Sequence, residues 1–200
     1  MIPTRRKALR KELRSARRAL TPAQQKQASR RLFRQLAKHP MFVRSRHIAL
    51  YLANDGEIDP ILLLRHALRL GKTCYLPVLK RWPRGSMGFQ RIHKHQQWTR
   101  NRFGITEPRA SISSQTQPWR LDMVLMPLVG FDVQGNRLGM GGGFYDRTFA
   151  YLRQRQTWLA PSLIGLAHDC QKLDRLPVES WDIPLDGIIS DAECLMFKRA

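Results

Sequence analysis

The sequence predicts an α/β fold, a three-layer sandwich on a largely parallel central sheet. Two observations carry this. Short apolar runs alternate with longer amphipathic stretches along the chain, the pattern of strands followed by helices. Glu57 and a glycine cluster at Gly139 to Gly143 each follow a predicted strand, and ligands in such sheets sit beyond the carboxyl ends of strands. The 200 residues hold no internal repeat and no low-complexity linker, so residues 1–200 are expected to form one domain.

The elements follow in order. Thr4 can cap a first helix, on which Leu9, Leu13, Ala16 and Leu20 form one apolar stripe among arginines and lysines. Thr21-Pro22-Ala23-Gln24 restarts the chain as a second helix: a capping threonine, proline at the first helical position, and glutamine three residues on. Ala28, Leu32 and Leu36 are its buried face, and it ends near His39-Pro40. His47 to Leu52 is a first buried strand, followed by a turn carrying Asn54, Asp55, Gly56 and Glu57. Pro60 opens a helix that stops at Gly71, and Thr73 to Val78 is a second strand.

Residues 80–120 are irregular, with short β pieces around Phe89 to Ile92. Trp82, Phe89 and Phe103 lie there and can line a ring-binding pocket, although ordinary packing is the stronger reading for any one of them. Asp122 to Val129 is a third strand, feeding the glycine cluster and a helix from about Phe144 to Arg155. Ser162 to Ala167 is a fourth strand, and Gly187 to Ser190 and Cys194 to Phe197 are short last ones.

Composition narrows the function classes. Hydrophobic residues at 42% with 25% charged describe a soluble globular protein rather than a disordered one. No apolar run reaches the ~18 residues of a membrane helix, and the basic N-terminus lacks the apolar core of a secretory signal. Cys74, Cys170 and Cys194 are odd in number and widely spaced, which reads as reduced, buried thiols of a cytoplasmic protein. The net charge of +20 is unevenly spread: residues 1–50 carry +14, residues 51–120 carry +8 and residues 121–200 carry −2. The first half attracts anions, and the last third gathers the carboxylates able to hold a cation.

That charge also raises a competing class, a nucleic-acid-binding protein. No zinc-finger, RNP-type or helix-turn-helix signature accompanies it. Residues 1–38 contain only Phe33 as an aromatic, so no stacking surface goes with the charge. Nucleic acid and membranes are therefore not expected as partners. His93-x-His95 lacks a third ligand nearby and reads as a solvated loop. His168 beside Asp169 has no nucleophile of fitting context.

The most informative stretch is residues 126–147. An apolar strand gives way to a turn at Asp132, Gly135 and Asn136, then to Gly139, Gly141, Gly142 and Gly143, and then to Phe144-Tyr145-Asp146-Arg147. Bare backbone lets several N–H groups converge on one anion, and a helix starting near Phe144 would favour the same anion. Phosphate is the ligand this suits. A Walker A loop is excluded because no lysine follows the glycines, and the dinucleotide fingerprint because Phe144 stands where its third glycine belongs. The fold is thus Rossmann-like without the dinucleotide fingerprint. A plain hinge would not call for Arg137, two aromatics and an Asp–Arg pair at its borders.

The run Gly135-Asn136-Arg137-Leu138-Gly139-Met140-Gly141-Gly142-Gly143-Phe144-Tyr145-Asp146 resembles the signature of the 5-formyltetrahydrofolate cyclo-ligases, the methenyltetrahydrofolate synthetases of folate and one-carbon metabolism. The resemblance extends, more loosely, to both ends of the chain. It implies ATP-dependent conversion of 5-formyltetrahydrofolate to 5,10-methenyltetrahydrofolate with release of ADP and phosphate. A same-fold paralogue acting on another substrate is the further alternative, and Glu57 together with the complete Arg137 to Asp146 block argues against it.

The resemblance also implies site roles. ATP would be bound by Arg6, Lys7, Ala8, Leu9 and Arg10, and by Arg137, Leu138, Gly139, Met140, Gly141, Gly142, Gly143, Phe144 and Tyr145. Arg6 and Arg10, four residues apart on a helix, share a face and can grip one triphosphate. The folate would be held by Leu52 and Glu57, with Met140 to Phe144, the carboxylate accepting from pterin N–H groups. Asp146 and Asp182 would carry Mg2+, with Asp186 competing for the second position. Arg137 and Tyr145 are candidates for alignment and charge neutralisation, and no covalent nucleophile is expected. Many relatives place Arg and Lys where this chain has Met140 and Gly142, so the charge they would supply has to come from elsewhere. A monomer acting on ATP and a reduced folate, with or without a polyglutamate tail, is expected.

Overall fold

The computed structural model describes residues 2–80, 85–153 and 160–197. Its N-terminal half contains α1 (Ile2–Arg18), α2 (Pro22–Leu36), α3 (Pro40–Arg44), β1 (His47–Ala49), α4 (Ile61–Arg69) and β2 (Thr73–Leu79). Then come β3 (Met87–Arg91), the hairpin β4 (Trp98–Arg100) and β5 (Thr106–Pro108), β6 (Gln115–Thr116) and β7 (Met123–Pro127). A second hairpin, β8 (Gly130–Asp132) and β9 (Arg137–Leu138), leads to α5 (Phe144–Thr148). The chain closes through β10 (Ser162–Leu166), β11 (Lys172–Leu173), β12 (Gly187–Ile189) and β13 (Cys194–Met196).

Among the described residues the main sheet has eight strands in the order β13-β12-β10-β7-β1-β2-β3-β6. The five inner strands from β12 to β2 run parallel, and β13, β3 and β6 pair antiparallel at the edges. Successive side chains of the inner strands enter different cores, as the two-residue strand period requires. Ile48, Met123, Leu125, Ile164 and Leu166 pack with Leu32 and Leu36 of α2, Phe42 of α3 and Leu63 of α4. Ala49, Val124, Met126 and Leu163 pack with Phe131, Phe149, Ile183 and Leu185. Among the described residues the second face is thus covered by α5, a 3₁₀ turn (Ala150–Arg153) and irregular chain rather than by a long helix. The predicted helix of about 144–155 is a five-residue α-helix followed by that turn, with residues 154 and 155 outside the described residues.

The sequence turns round at β1. From it the chain adds β2 on one side, and later β7, β10 and β12 on the other. The carboxyl ends of β1 and β7 therefore flank the crevice where an open parallel sheet takes its ligands. Thr21 caps α2 with the full capping box read from the sequence, whereas α1 starts at Ile2, so Thr4 lies inside the helix instead of capping it. Of the cysteines only Cys74 is buried; Cys170 and Cys194 are exposed. No helix among the described residues is long and apolar enough to cross a membrane.

Candidate active site

Helix α1 lies across this crevice, and the face it turns inward is partly cationic. Arg6 is 7% exposed, Leu13 3% and Arg17 0%; with half-buried Arg10 they recur every three or four residues along one face. Arg6 grips Asp182 bidentately, at 2.7 and 3.1 Å. The Nε of Arg10 donates to the carbonyl of Gly139 at 2.8 Å. Lys7 and Ala8 lie on the exposed face, and Leu9 packs against the small core of Leu13, Val129, Leu138 and Leu176. The stripe expected from Leu9 and Leu13 is present, but buried arginines interrupt it.

Arg17 joins both sides of the crevice. Its Nε donates to the carbonyl of Asp55 at 2.9 Å, its Nη1 to the carbonyl of Leu128 at 3.2 Å, and its Nη2 to the Asp55 carboxylate at 2.8 Å. Asp55 follows β1 and Leu128 follows β7, so one guanidinium ties the two strand ends. The Asp55 carboxylate also receives Arg14 and Arg18. Burial alone would raise this carboxyl, but the three arginines outweigh it and hold it at about 2.

Glu57 presents a different balance. Its side chain is 11% exposed and its Oε1 stands 3.9 Å from the Arg17 guanidinium, while Oε2 accepts from the Asn54 N–H at 3.1 Å. Burial pushes its carboxyl up to about 7, against the opposing pull of Arg17. A carboxylate so little compensated has capacity left for a ligand donor. Leu52, five residues earlier and half-buried, packs against the first core.

The glycine loop begins from a hairpin that the buried Asp132 organises. Its carboxylate accepts from the backbone of Gln134, Asn136 and Leu176 and from the Asn136 amide. That fixes the start of the signature run, so Asn136 serves the turn. Arg137 then points inward, 8% exposed, donating to the Ile183 carbonyl at 3.0 Å and to Asp146 at 2.5 Å. Asp146 in turn accepts from the N–H of Ile183, the residue after Asp182. The two expected metal carboxylates thus meet at one place, each neutralised by an arginine of the expected phosphate set. Among the described residues no group of three His, Cys, Asp or Glu side chains is arranged to hold a metal.

The loop takes a left-handed backbone at Gly141 (φ 95°) and Gly143 (φ 61°), which glycine adopts freely and a residue with a Cβ would not. A Cβ at Gly141 would sit 3.4 Å from the Arg10 guanidinium. Met140 is exposed, yet its sulfur lies 3.9 Å from Arg17. Burial raises the Tyr145 hydroxyl far above its ordinary value, and the nearby Glu57 adds to this while Arg137 opposes it. Glu57 and Arg137 thus both lie near enough to act on the Tyr145 hydroxyl. Of the three central aromatics, Phe89 is fully buried core, Phe103 meets Phe144 edge-on at 5.9 Å, and Trp82 lies outside the described residues.

The structure thus gathers Arg6, Arg10, Leu52, Glu57, Arg137 to Asp146 and Asp182 around one crevice. Asp186 is drawn elsewhere, its carboxylate accepting from the Leu163 N–H at 2.7 Å. Arg17 and Asp55 had no place among the expected site residues. A signal for Arg17 was available: it shares the helical face of Arg6, Arg10 and Leu13, and Glu12 is the only acid in residues 1–50, so buried arginines there need partners from later in the chain.

The model of the 5-formyltetrahydrofolate cyclo-ligase family matches residues 3–191. The chain belongs to this family. It is 39% identical over 181 residues to the 5-formyltetrahydrofolate cyclo-ligase of Escherichia coli K12, covering 90% of this chain and 97% of that one. It is 38% identical over 191 residues to that of Haemophilus influenzae, covering 94% and 99%. Its fold matches the NMR structure of the Aquifex aeolicus 5,10-methenyltetrahydrofolate synthetase with a TM-score of 0.81 at 28% identity, over 98% of this chain and 94% of that one. The Mycoplasma pneumoniae 5,10-methenyltetrahydrofolate synthetase matches with a TM-score of 0.69 at 26% identity, over 93% and 98%.

Proposed function

We propose that this cyclo-ligase converts 5-formyltetrahydrofolate to 5,10-methenyltetrahydrofolate at the expense of ATP, as a cytoplasmic monomer. The observation that carries this reading is the meeting of an undercompensated carboxyl, Glu57, with an arginine-flanked glycine loop at the switch point between β1 and β7. One half suits the N–H groups of a reduced pterin, the other a triphosphate.

In this reading Leu52 and Glu57 hold the folate, with Met140 to Phe144 between the substrates. Arg6 to Arg10 and Arg137 to Tyr145 hold ATP. The N5-formyl oxygen attacks the γ-phosphorus and the bond to ADP breaks. N10 then adds to the formyl carbon and loses its proton, the carbon–oxygen bond breaks, and phosphate leaves with the oxygen. Alignment and charge neutralisation are the protein's share of such a step, and Arg137 and Tyr145 lie where both substrates would meet. The adjoining Asp146 and Asp182 suit a magnesium ion carried by phosphates, which takes one or two protein carboxylates. It would supply charge neutralisation. The absorbance of methenyltetrahydrofolate, followed with and without ATP and magnesium, tests the reading; no product with all three components present would refute it.

A further inference from the structure

The arginines around the crevice fall into two groups. Arg6 is paired with Asp182, Arg137 with Asp146, and Arg14, Arg17 and Arg18 with Asp55. Two others contact the glycine loop with no carboxylate partner among the described residues. Arg10 donates to Gly139; burial and its neighbour Arg6 work against its charge, and the more distant Asp182 only partly offsets them. Arg147 donates to the carbonyl of Gly142 and, at 2.9 Å, to that of Gly85. Its guanidinium lies 5.5 Å from the centroid of the Phe144 ring, and a Cβ on Gly143 would stand 2.7 Å from its Nη1.

We propose that Arg147 is a phosphate-contacting residue, which with Arg10 brackets the glycine loop and supplies cationic charge that the loop's own side chains lack. This rests on the reading of that loop as an ATP site. From Gly139 to Tyr145 no side chain carries charge. A carbonyl neutralises no part of a guanidinium, and two of the five N–H groups of Arg147 suffice for its two carbonyls. The others remain for phosphate oxygens. The carbonyls and the aromatic face fix the fork before a ligand arrives, which lowers the entropy of capture. Arg6 and Arg137 would first have to release their carboxylates; Arg147 would not.

The test is calorimetric titration of ATP, AMP and 5-formyltetrahydrofolate into wild type, Arg147→Gln and Arg147→Lys. Glutamine keeps a hydrogen-bond donor for the carbonyls without the charge; lysine keeps the charge. Arg147→Gln should lose on the order of tenfold or more in ATP affinity, the scale of a charged hydrogen bond. It should lose much less for AMP and little for the folate, with its melting temperature unchanged, and Arg147→Lys should recover most of the loss. Unchanged ATP affinity in Arg147→Gln would overturn the proposal. So would equal losses for ATP and folate in both variants with lowered melting temperatures, which would make Arg147 a brace for the loop. Wild type that binds no ATP would sink the loop reading itself.

Discussion

Arg17, fully buried on α1, faces the Glu57 carboxylate across 3.9 Å, close enough to oppose the effect of burial without cancelling it. Glu57 consequently titrates at about 7 instead of its ordinary 4.5. If the charged form binds the folate, affinity for 5-formyltetrahydrofolate improves as pH rises through 7, and Glu57→Gln removes both the affinity and its pH dependence while sparing ATP. Calorimetry across this range checks it.

The same carboxyl affects stability with the opposite sign. Between pH 4.5 and about 7 the folded chain keeps the Glu57 proton and the unfolded chain has lost it, so this group's contribution falls as pH rises across that window. Asp55 is held at about 2 against an ordinary 3.8, so its contribution is full above 3.8 and is lost as pH falls towards 2. Melting curves of Glu57→Gln should lack the first decline and retain the second.

Arg17→Met should destabilise strongly, because it strips a buried charge from the Asp55 cluster. Breaking a buried pair costs roughly 3 kcal/mol, which corresponds to about 6–12 °C in melting temperature for a chain of this size. In protein that remains folded, the Glu57 titration should move to higher pH. A small change in melting temperature would mean that Arg14 and Arg18 suffice.

Arg10→Ala should raise the Michaelis constant for ATP far more than that for the folate, by roughly tenfold or more. Steady-state assays varying each substrate check this. Equal effects on both would point to distortion of the loop through Gly139.

Gly141→Ala and Gly143→Ala should damage turnover more than stability. Positive φ costs an alanine on the order of 1 kcal/mol, small against the 5–15 kcal/mol typical of a domain. Misalignment of the reacting oxygen and phosphorus is far more expensive. Turnover and melting temperature measured together would show whether the two losses separate, and proportional losses would contradict the phosphate-cradle reading.

The layers, the parallel sheet and the glycine loop were legible because periodicity and punctuation are local signals. Ile48, Leu125 and Ile164 announce buried strands by themselves, and Thr21 to Gln24 announces a helix start. What the sequence concealed is pairing at a distance. An arginine reads as solvated until its partner is known, and nothing local tells Arg17 that Asp55 and Leu128 will converge on it. The short strands β8 and β9 were hidden for the same reason, since Asp132 makes their turn by reaching both Asn136 and Leu176. The contraction of α5 to five residues reflects Phe149, which is drawn into the core as the helix ends.

The two anchorages of α1 are unequal in chain distance. Arg14 finds Asp55 41 residues away, and Arg6 finds Asp182 across 176. Closing the larger loop costs only about 1 kcal/mol more in chain entropy, so equilibrium barely distinguishes them. Synthesis does. A growing chain can dock the Arg14 end of α1 as soon as β1 and its loop have emerged, while the Arg6 end waits without its carboxylate until residue 182 is made. Helix α1, made before the strands that receive it, is among the last elements to be fully seated.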